Sequence, residues 1–107
     1  MLDVAVSGTL FASPSPTQIY NALWALDRRR KGVDGHSVVI ILMNYTGDVM
    51  NFGLAAEKAQ AAGVKADMVI VRDDVGVGRE KGGKVGRRGI AGIVLVHKIA
   101  GAMAEEG

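Results

Sequence analysis

The side chains best placed to do chemistry are carboxylates at the ends of apolar runs. In Met43-Asn-Tyr-Thr-Gly-Asp48 a run of β-branched and aliphatic residues stops, a run with helical spacing starts, and Asp48 stands in the turn between them. A carboxylate there has two uses. It can cap the helix, facing unpaired amides at the positive helix end, a contribution of about 0.5–2 kcal/mol. It can instead accept a proton from a hydroxyl substrate, or hydrogen-bond to it. Asp73-Asp74, which follow a second apolar run, either shape a turn or line the same crevice as Asp48. The two histidines read as solvated or core-satisfied side chains. His36 sits in the connector before a strand, at the end of the sheet opposite the Asp48 turn, and His97 lies inside the last helical run.

Residues 72–88 form the one basic patch, with six cations (Arg72, Arg79, Lys81, Lys84, Arg87, Arg88) against Asp73, Asp74 and Glu80. Gly78-Arg-Glu-Lys-Gly-Gly83-Lys84-Val85 follows the phosphate-loop pattern G-x-x-x-x-G-K-[ST] up to its last position, where Val85 has no hydroxyl for magnesium. It also begins seven residues after Val71, whereas a phosphate loop follows its strand directly, so it reads as a solvated loop. Gly76, Gly78 and Gly82 miss the dinucleotide pattern G-x-G-x-x-G by one residue. Arg87 and Arg88 stand just ahead of the last helix, where positive charge opposes the helix dipole; an anion, a nucleotide-carrying domain or solvent must compensate them.

The elements that must position these groups follow from periodicity. Residues 3–11 alternate as a short strand interrupted at Gly8, and Ser13-Pro-Ser-Pro16 ends it. Ser15, Pro16 and Gln18 have the spacing of a capping box, and Ile19, Ala22, Leu23 and Leu26 continue as an amphipathic helix to about Asp27. A basic, glycine-bearing connector (Arg28 to Gly35) leads to the apolar run 38–43, which reads as a strand covered on both faces. A second helix is expected from Asp48 to Ala62, with Gly63 as its left-handed C-terminal cap. A strand at 65–71, the basic loop, and a helix at 90–106 complete the chain. The order β-α-β-α-β-loop-α predicts a mainly parallel, three-layer, Rossmann-like α/β sheet. In such sheets ligands bind beyond the carboxyl ends of the strands, where Thr46-Gly47-Asp48 and Asp73-Asp74 both fall. Gly86, Gly89, Gly92 and Gly101 would each cost about 1 kcal/mol inside a helix, so close packing against the sheet or a second subunit, in a homodimer, is expected there.

Composition bounds the rest. The 107 residues are 49% hydrophobic and 22% charged, enough for one globular domain with one core. No apolar run approaches the roughly 20 residues of a membrane span, and a net charge of +2 gives no reason to expect nucleic acid. With no cysteine there are no disulfides or thiolate metal sites, and the start MLDVAVSG lacks the features of a signal peptide; a cytoplasmic location is expected.

NYTGDVMNFGLAAE and GRRGIAGIVLVHKIAGAMAEEG, together with MLDVAVSGTLFASPSPTQI, resemble the substrate-binding K domain of dihydroxyacetone (glycerone) kinases; DDVGVGREKGGKVGRRG is similar to the fungal single-chain form. The resemblance covers nearly the whole chain and implies that residues 1–107 are part of such a K domain. It implies a transferase that phosphorylates dihydroxyacetone, with ATP and magnesium carried by a separate all-helical L domain and no nucleotide, metal or other cofactor held by this segment. It makes Asp48 the base on the substrate hydroxyl, with Thr46 and Gly47 beside it in the substrate-binding turn. Met43 stands where the family usually has lysine, and an apolar thioether cannot replace an ammonium group. A Gly-Ser-Gly-His segment that the family carries upstream, and a later histidine that bonds to the substrate carbonyl, have no counterpart in these 107 residues. The segment alone is therefore expected to be inactive. The alternative is a noncatalytic K-domain homologue that binds a small hydroxyketone or a protein; a nucleotide-binding phosphate loop ranks last.

Overall fold

The computed structural model describes residues 2–33 and 35–107. Met1, and Asp34 of the connector, lie outside the described residues. The elements are α1 (Pro16–Arg29), β1 (Val38–Met43), α2 (Thr46–Ala61), β2 (Ala66–Val71) and α3 (Ile93–Glu106), with a single 3₁₀ turn at Arg79–Lys81.

Local chemistry sets the helix ends. The Ser15 hydroxyl accepts from the Gln18 amide at 3.2 Å, while the Gln18 side chain accepts from the Ser15 amide at 2.9 Å. With Pro16 at the first helical position, this is the full capping box. α1 runs two residues beyond the expected Asp27. At the far end of α2, Gly63 takes φ +93°, its amide donates to Gln60 O, and the Val64 amide donates to Ala59 O. These two bonds make a Schellman cap and turn the chain into β2.

The core lies on one face of the sheet. β1 and β2 pair in parallel and in step, from Val38 opposite Ala66 to Met43 opposite Val71. Ile40, Leu42 and Ala66 turn toward Ile19 and Leu23 of α1 and toward Ala55, Ala56 and Ala59 of α2. The alanines let α2 approach closely, and Ala59 is fully buried. α3 contacts β1 yet buries none of its residues completely; Leu95 is 65% exposed, with Val94, Ile99 and Met103 exposed beside it.

Two expectations are corrected. Residues 3–11 form no strand: the chain folds back at Gly8, where a Cβ would stand 2.1 Å from Ala12 O, and the Ala12 amide closes a turn onto Thr9 O. Alternation there records that Val6 packs on the core, whereas a strand also needs a hydrogen-bonded neighbour, which this segment does not take. The sheet among the described residues therefore has two strands, with order α-β-α-β-α. Helix α3 starts at Ile93, three residues later than expected, because Gly89 and Gly92 belong to a packed loop.

His36 ties α1 to β1 at the end of the sheet away from Asp48. Its Nδ1–H donates to Val33 O at 2.8 Å and its Nε2–H donates to Asp27 Oδ1 at 3.0 Å, so both bonds require the doubly protonated ring. The Val33 carbonyl first, then Asp27, raise its pKa above the ordinary 6.5, with nearby Lys65 opposing. A raised pKa means that the tie is complete below about 6.5 and is lost as pH rises through the higher, folded-state value. Melting temperature should therefore fall from about pH 6 to about pH 8 more steeply in the parent than in His36→Gln. Equal slopes in both would show that the tie contributes nothing.

Candidate functional site

Because β1 and β2 are in step, they end side by side, and everything beyond Met43 and Val71 gathers at one edge. The Asn44 amide still donates to Val71 O at 3.0 Å, extending the ladder by one bond. Its side chain, 7% exposed, donates to Val85 O at 2.8 Å and Arg87 O at 2.7 Å. A buried amide must find partners, and these two carbonyls fasten the basic loop over the strand ends. Arg88 completes the closure: its Nη1 donates to Asn44 O at 3.4 Å and its guanidinium carbon lies 5.5 Å from the centre of the Tyr45 ring.

Helix α2 begins at Thr46, with Tyr45 as an extended N-cap residue that supplies no side-chain cap. This corrects the capping reading of Asp48. Asp48 is the third residue of the helix, half-buried, and its carboxylate has no hydrogen-bond or ion-pair partner among the described residues. Thr46 and Gly47 are exposed in the same first turn. A Cβ on Gly47 would stand 2.8 Å from Ser13 Oγ, so the Ser13 hydroxyl lies against this turn. Asn51 of α2 holds that neighbour in place, donating from Nδ2 to Pro14 O at 2.9 Å. Met43 sits one residue before Asn44 with its Cβ and Cγ packed against Gly89.

The two carboxylates just beyond β2 have partners. Asp73 accepts from the amides of Ile90 and Gly92, both at 2.7 Å, and these bonds, that to Ile90 foremost, hold its pKa below the usual value. It anchors the approach to α3. Asp74 accepts from the Gly76 amide at 3.2 Å and shapes its own turn. In the phosphate-loop near-match Lys81 N donates to Gly78 O in the 3₁₀ turn and Gly86 N donates to Gly82 O, and Val85 stands where the pattern needs a hydroxyl. Arg87 Nε donates to Val77 O at 2.8 Å. His97 lines a cleft of about 260 Å³ along β1 with Val4, Leu26 and Ile41, away from the turn. Among the described residues no group of three or more histidines, aspartates or glutamates converges as metal ligands.

Sequence reasoning singled out the Asp48 turn but missed Asn44 and Ser13. An amide immediately after an apolar strand was a readable signal for Asn44; Ser13 offered none, because its proximity to Gly47 is tertiary.

Asp48 and the Asp73-Asp74 pair lie beyond the carboxyl ends of two parallel strands, the place where open α/β sheets take their ligands. The Dak1 domain profile matches residues 1–107, and the chain belongs to that family. It is 55% identical over 106 residues to dihydroxyacetone kinase 1 of Saccharomyces cerevisiae, covering 99% of this chain and 17% of that protein. It is 49% identical over 107 residues to the PTS-dependent dihydroxyacetone kinase 1, dihydroxyacetone-binding subunit, of Listeria innocua, covering 100% of this chain and 30% of the relative. The crystal structure of the C. freundii dihydroxyacetone kinase in complex with AMP-PNP and Mg2+ superposes with a TM-score of 0.73 at 46% identity, over 92% of this chain and 16% of that one. The chain thus spans less than a third of each of these proteins.

Proposed function

We propose that this segment is the hydroxyketone-binding part of a dihydroxyacetone kinase and that Asp48 acts on the substrate hydroxyl. The observation that carries this reading is the unpartnered, half-buried carboxylate of Asp48 beyond β1, in a chain whose relatives include a dihydroxyacetone-binding subunit. In the reaction the Asp48 carboxylate takes the proton of the substrate hydroxyl while that oxygen attacks the γ-phosphorus of ATP; the P–O bond to ADP breaks and dihydroxyacetone phosphate forms. Thr46, Gly47 and the Ser13 hydroxyl border the same turn and suit a small polyol-like substrate. Met43 contributes packing under Gly89 and no charge.

ATP and magnesium belong, in this reading, to a helical domain outside residues 1–107. The loop 78–85 does not fit them, since Val85 supplies no hydroxyl for magnesium and the motif begins seven residues after β2 rather than directly behind it. Further strands of the same polypeptide would pair with the two free sheet edges and complete a three-layer sheet. A homodimer would cover the exposed side chains of α3, and a cytoplasmic setting suits a reaction that draws on ATP. Among the described residues no helix is long and apolar enough to cross a membrane.

The test is a chimera in which residues 1–107 replace the matching segment of the Saccharomyces cerevisiae relative. It should phosphorylate dihydroxyacetone in a coupled assay with magnesium ATP, at a rate within about tenfold of the yeast parent. A folded chimera that binds dihydroxyacetone without turning it over would point to a noncatalytic homologue instead.

A further inference from the structure

The Asp48 turn is held by contacts remote in sequence. Its N-cap residue, Tyr45, offers no side-chain cap, and the local tie between β1 and the first turn of α2 is a single tight turn in which the Tyr45 amide donates to Met43 O at 2.9 Å. Side-chain ties are added from residues 85–88. Of the two adjacent arginines, Arg87 turns back onto its own loop through Val77 O, while Arg88 reaches the turn, donating to Asn44 O and covering the ring of Tyr45. The backbone of Arg88 is itself anchored, because its carbonyl accepts from the Asp74 amide at 3.1 Å. Next to it Gly89 is buried against Met43 and Val71, so the loop seats directly on the strand ends. A cation beside a helix N-terminus opposes the helix dipole, so helix stability alone does not favour an arginine at this spot. The aromatic face of Tyr45 compensates the charge and fixes its position.

We infer that Arg88 is a positioning residue for Asp48: it clamps Asn44 and Tyr45 so that the first turn of α2 presents the carboxylate in one orientation. This rests on the proposed role of Asp48 as base. Asn44 works with it by fastening the loop that carries Arg88. A carboxylate displaced by about an ångström from its reacting partner loses up to a hundredfold in rate, which is the scale of effect such a clamp controls.

The test uses the yeast chimera with Arg88→Ala, Arg88→Lys and Arg88→Gln, each measured for kcat, KM for dihydroxyacetone and thermal melting, with Asp48→Asn alongside. Arg88→Ala should lower kcat by about tenfold to a hundredfold and change KM less than threefold. Arg88→Lys, which keeps a cation over Tyr45 and a donor for Asn44 O, should recover most of that loss. Arg88→Gln, a donor without charge, should recover less. Should Arg88→Ala fail to fold, the lysine and glutamine variants decide, and a lysine variant at least fivefold faster than the glutamine variant supports the clamp. A kcat for Arg88→Ala within twofold of the parent overturns it, as does a loss that merely follows the folded fraction equally in all three variants. Asp48→Asn separates the two ideas. If it keeps full turnover, the role of Asp48 fails and the clamp fails with it; if it is inactive while Arg88→Ala is not, only the clamp fails.

Discussion

Asp48→Asn in the yeast chimera is expected to lower turnover by about 10²–10⁴-fold, the usual contribution of a positioned general base, while the melting temperature stays within a few degrees of the parent. The two halves of that expectation have separate causes. Asparagine has the shape of aspartate but cannot take a proton from a hydroxyl, so an interaction needed in the transition state disappears. The loss should therefore fall on kcat, with KM nearly unchanged. Stability is spared because the Asp48 carboxylate has no protein partner to lose among the described residues. Removing a charge from the first turn of α2 forfeits only its interaction with the helix dipole, about 0.3–1 kcal/mol. Had Asp48 been the N-cap its replacement by asparagine would also be mild, which is why stability alone does not identify its role. Undiminished turnover in Asp48→Asn would leave Asp48 as a favourable charge at a helix start and nothing more.

The parts of this fold that were legible in the sequence are those fixed by neighbours in sequence. The Ser15–Gln18 box and the Gly63 cap each close within a few residues, and both appear as read. The run 38–43 matches β1 to the residue because polar residues bound an uninterrupted apolar stretch, but its reading as a strand covered on both faces is corrected: Ile40 and Leu42 face the core while Val39, on the other face, is 53% exposed. The errors arise where partners are distant. Alternation in residues 3–11 looked like a strand, but a ladder needs a second chain segment and none is taken there. Asp48 looked like a cap because a cap residue and the third residue of a helix carry the same acidic preference; Tyr45, which has no capping group, takes the cap position instead. Asp73 finds its two amides 17 and 19 residues downstream, and no local spacing announces such a bond. The turn carrying Asp48 was visible for the opposite reason: strand, tight turn and helix are consecutive in sequence, so their geometry follows from the string. Its closure by Asn44 and Arg88 depends on a loop more than 40 residues away.

That closure predicts the second large effect, at a residue with no chemistry of its own. Gly89 is buried where the loop passes over the strand ends, and a Cβ there would stand 2.6 Å from Met43 Cβ, 2.8 Å from Met43 Cγ and 2.7 Å from Val71 O. Gly89→Ala therefore cannot be accommodated by a side-chain rotation, because one of the three obstructing atoms is backbone in a paired strand and another is a Cβ. Overpacking of this kind costs about 1–3 kcal/mol, and lifting the loop also strands the buried amide of Asn44, for about 1–3 kcal/mol more. The loop should open rather than β2 shift, since β2 is held by its whole register with β1 and the loop is held by a few bonds. Amide hydrogen exchange in the chimera is the direct measurement. Asp74, Ile90 and Gly92, whose amides donate across the loop, should lose about tenfold or more of their protection, and peptides from α1 should change little. Met43→Ala added to Gly89→Ala removes the Cγ contact but leaves the Met43 Cβ and Val71 O where they are, so the double variant should recover only part of the protection. Full recovery would place the obstruction in the flexible end of Met43. Unchanged exchange in the single variant would show that the loop does not seat on the strand ends, and the clamp on the Asp48 turn would lose its foundation.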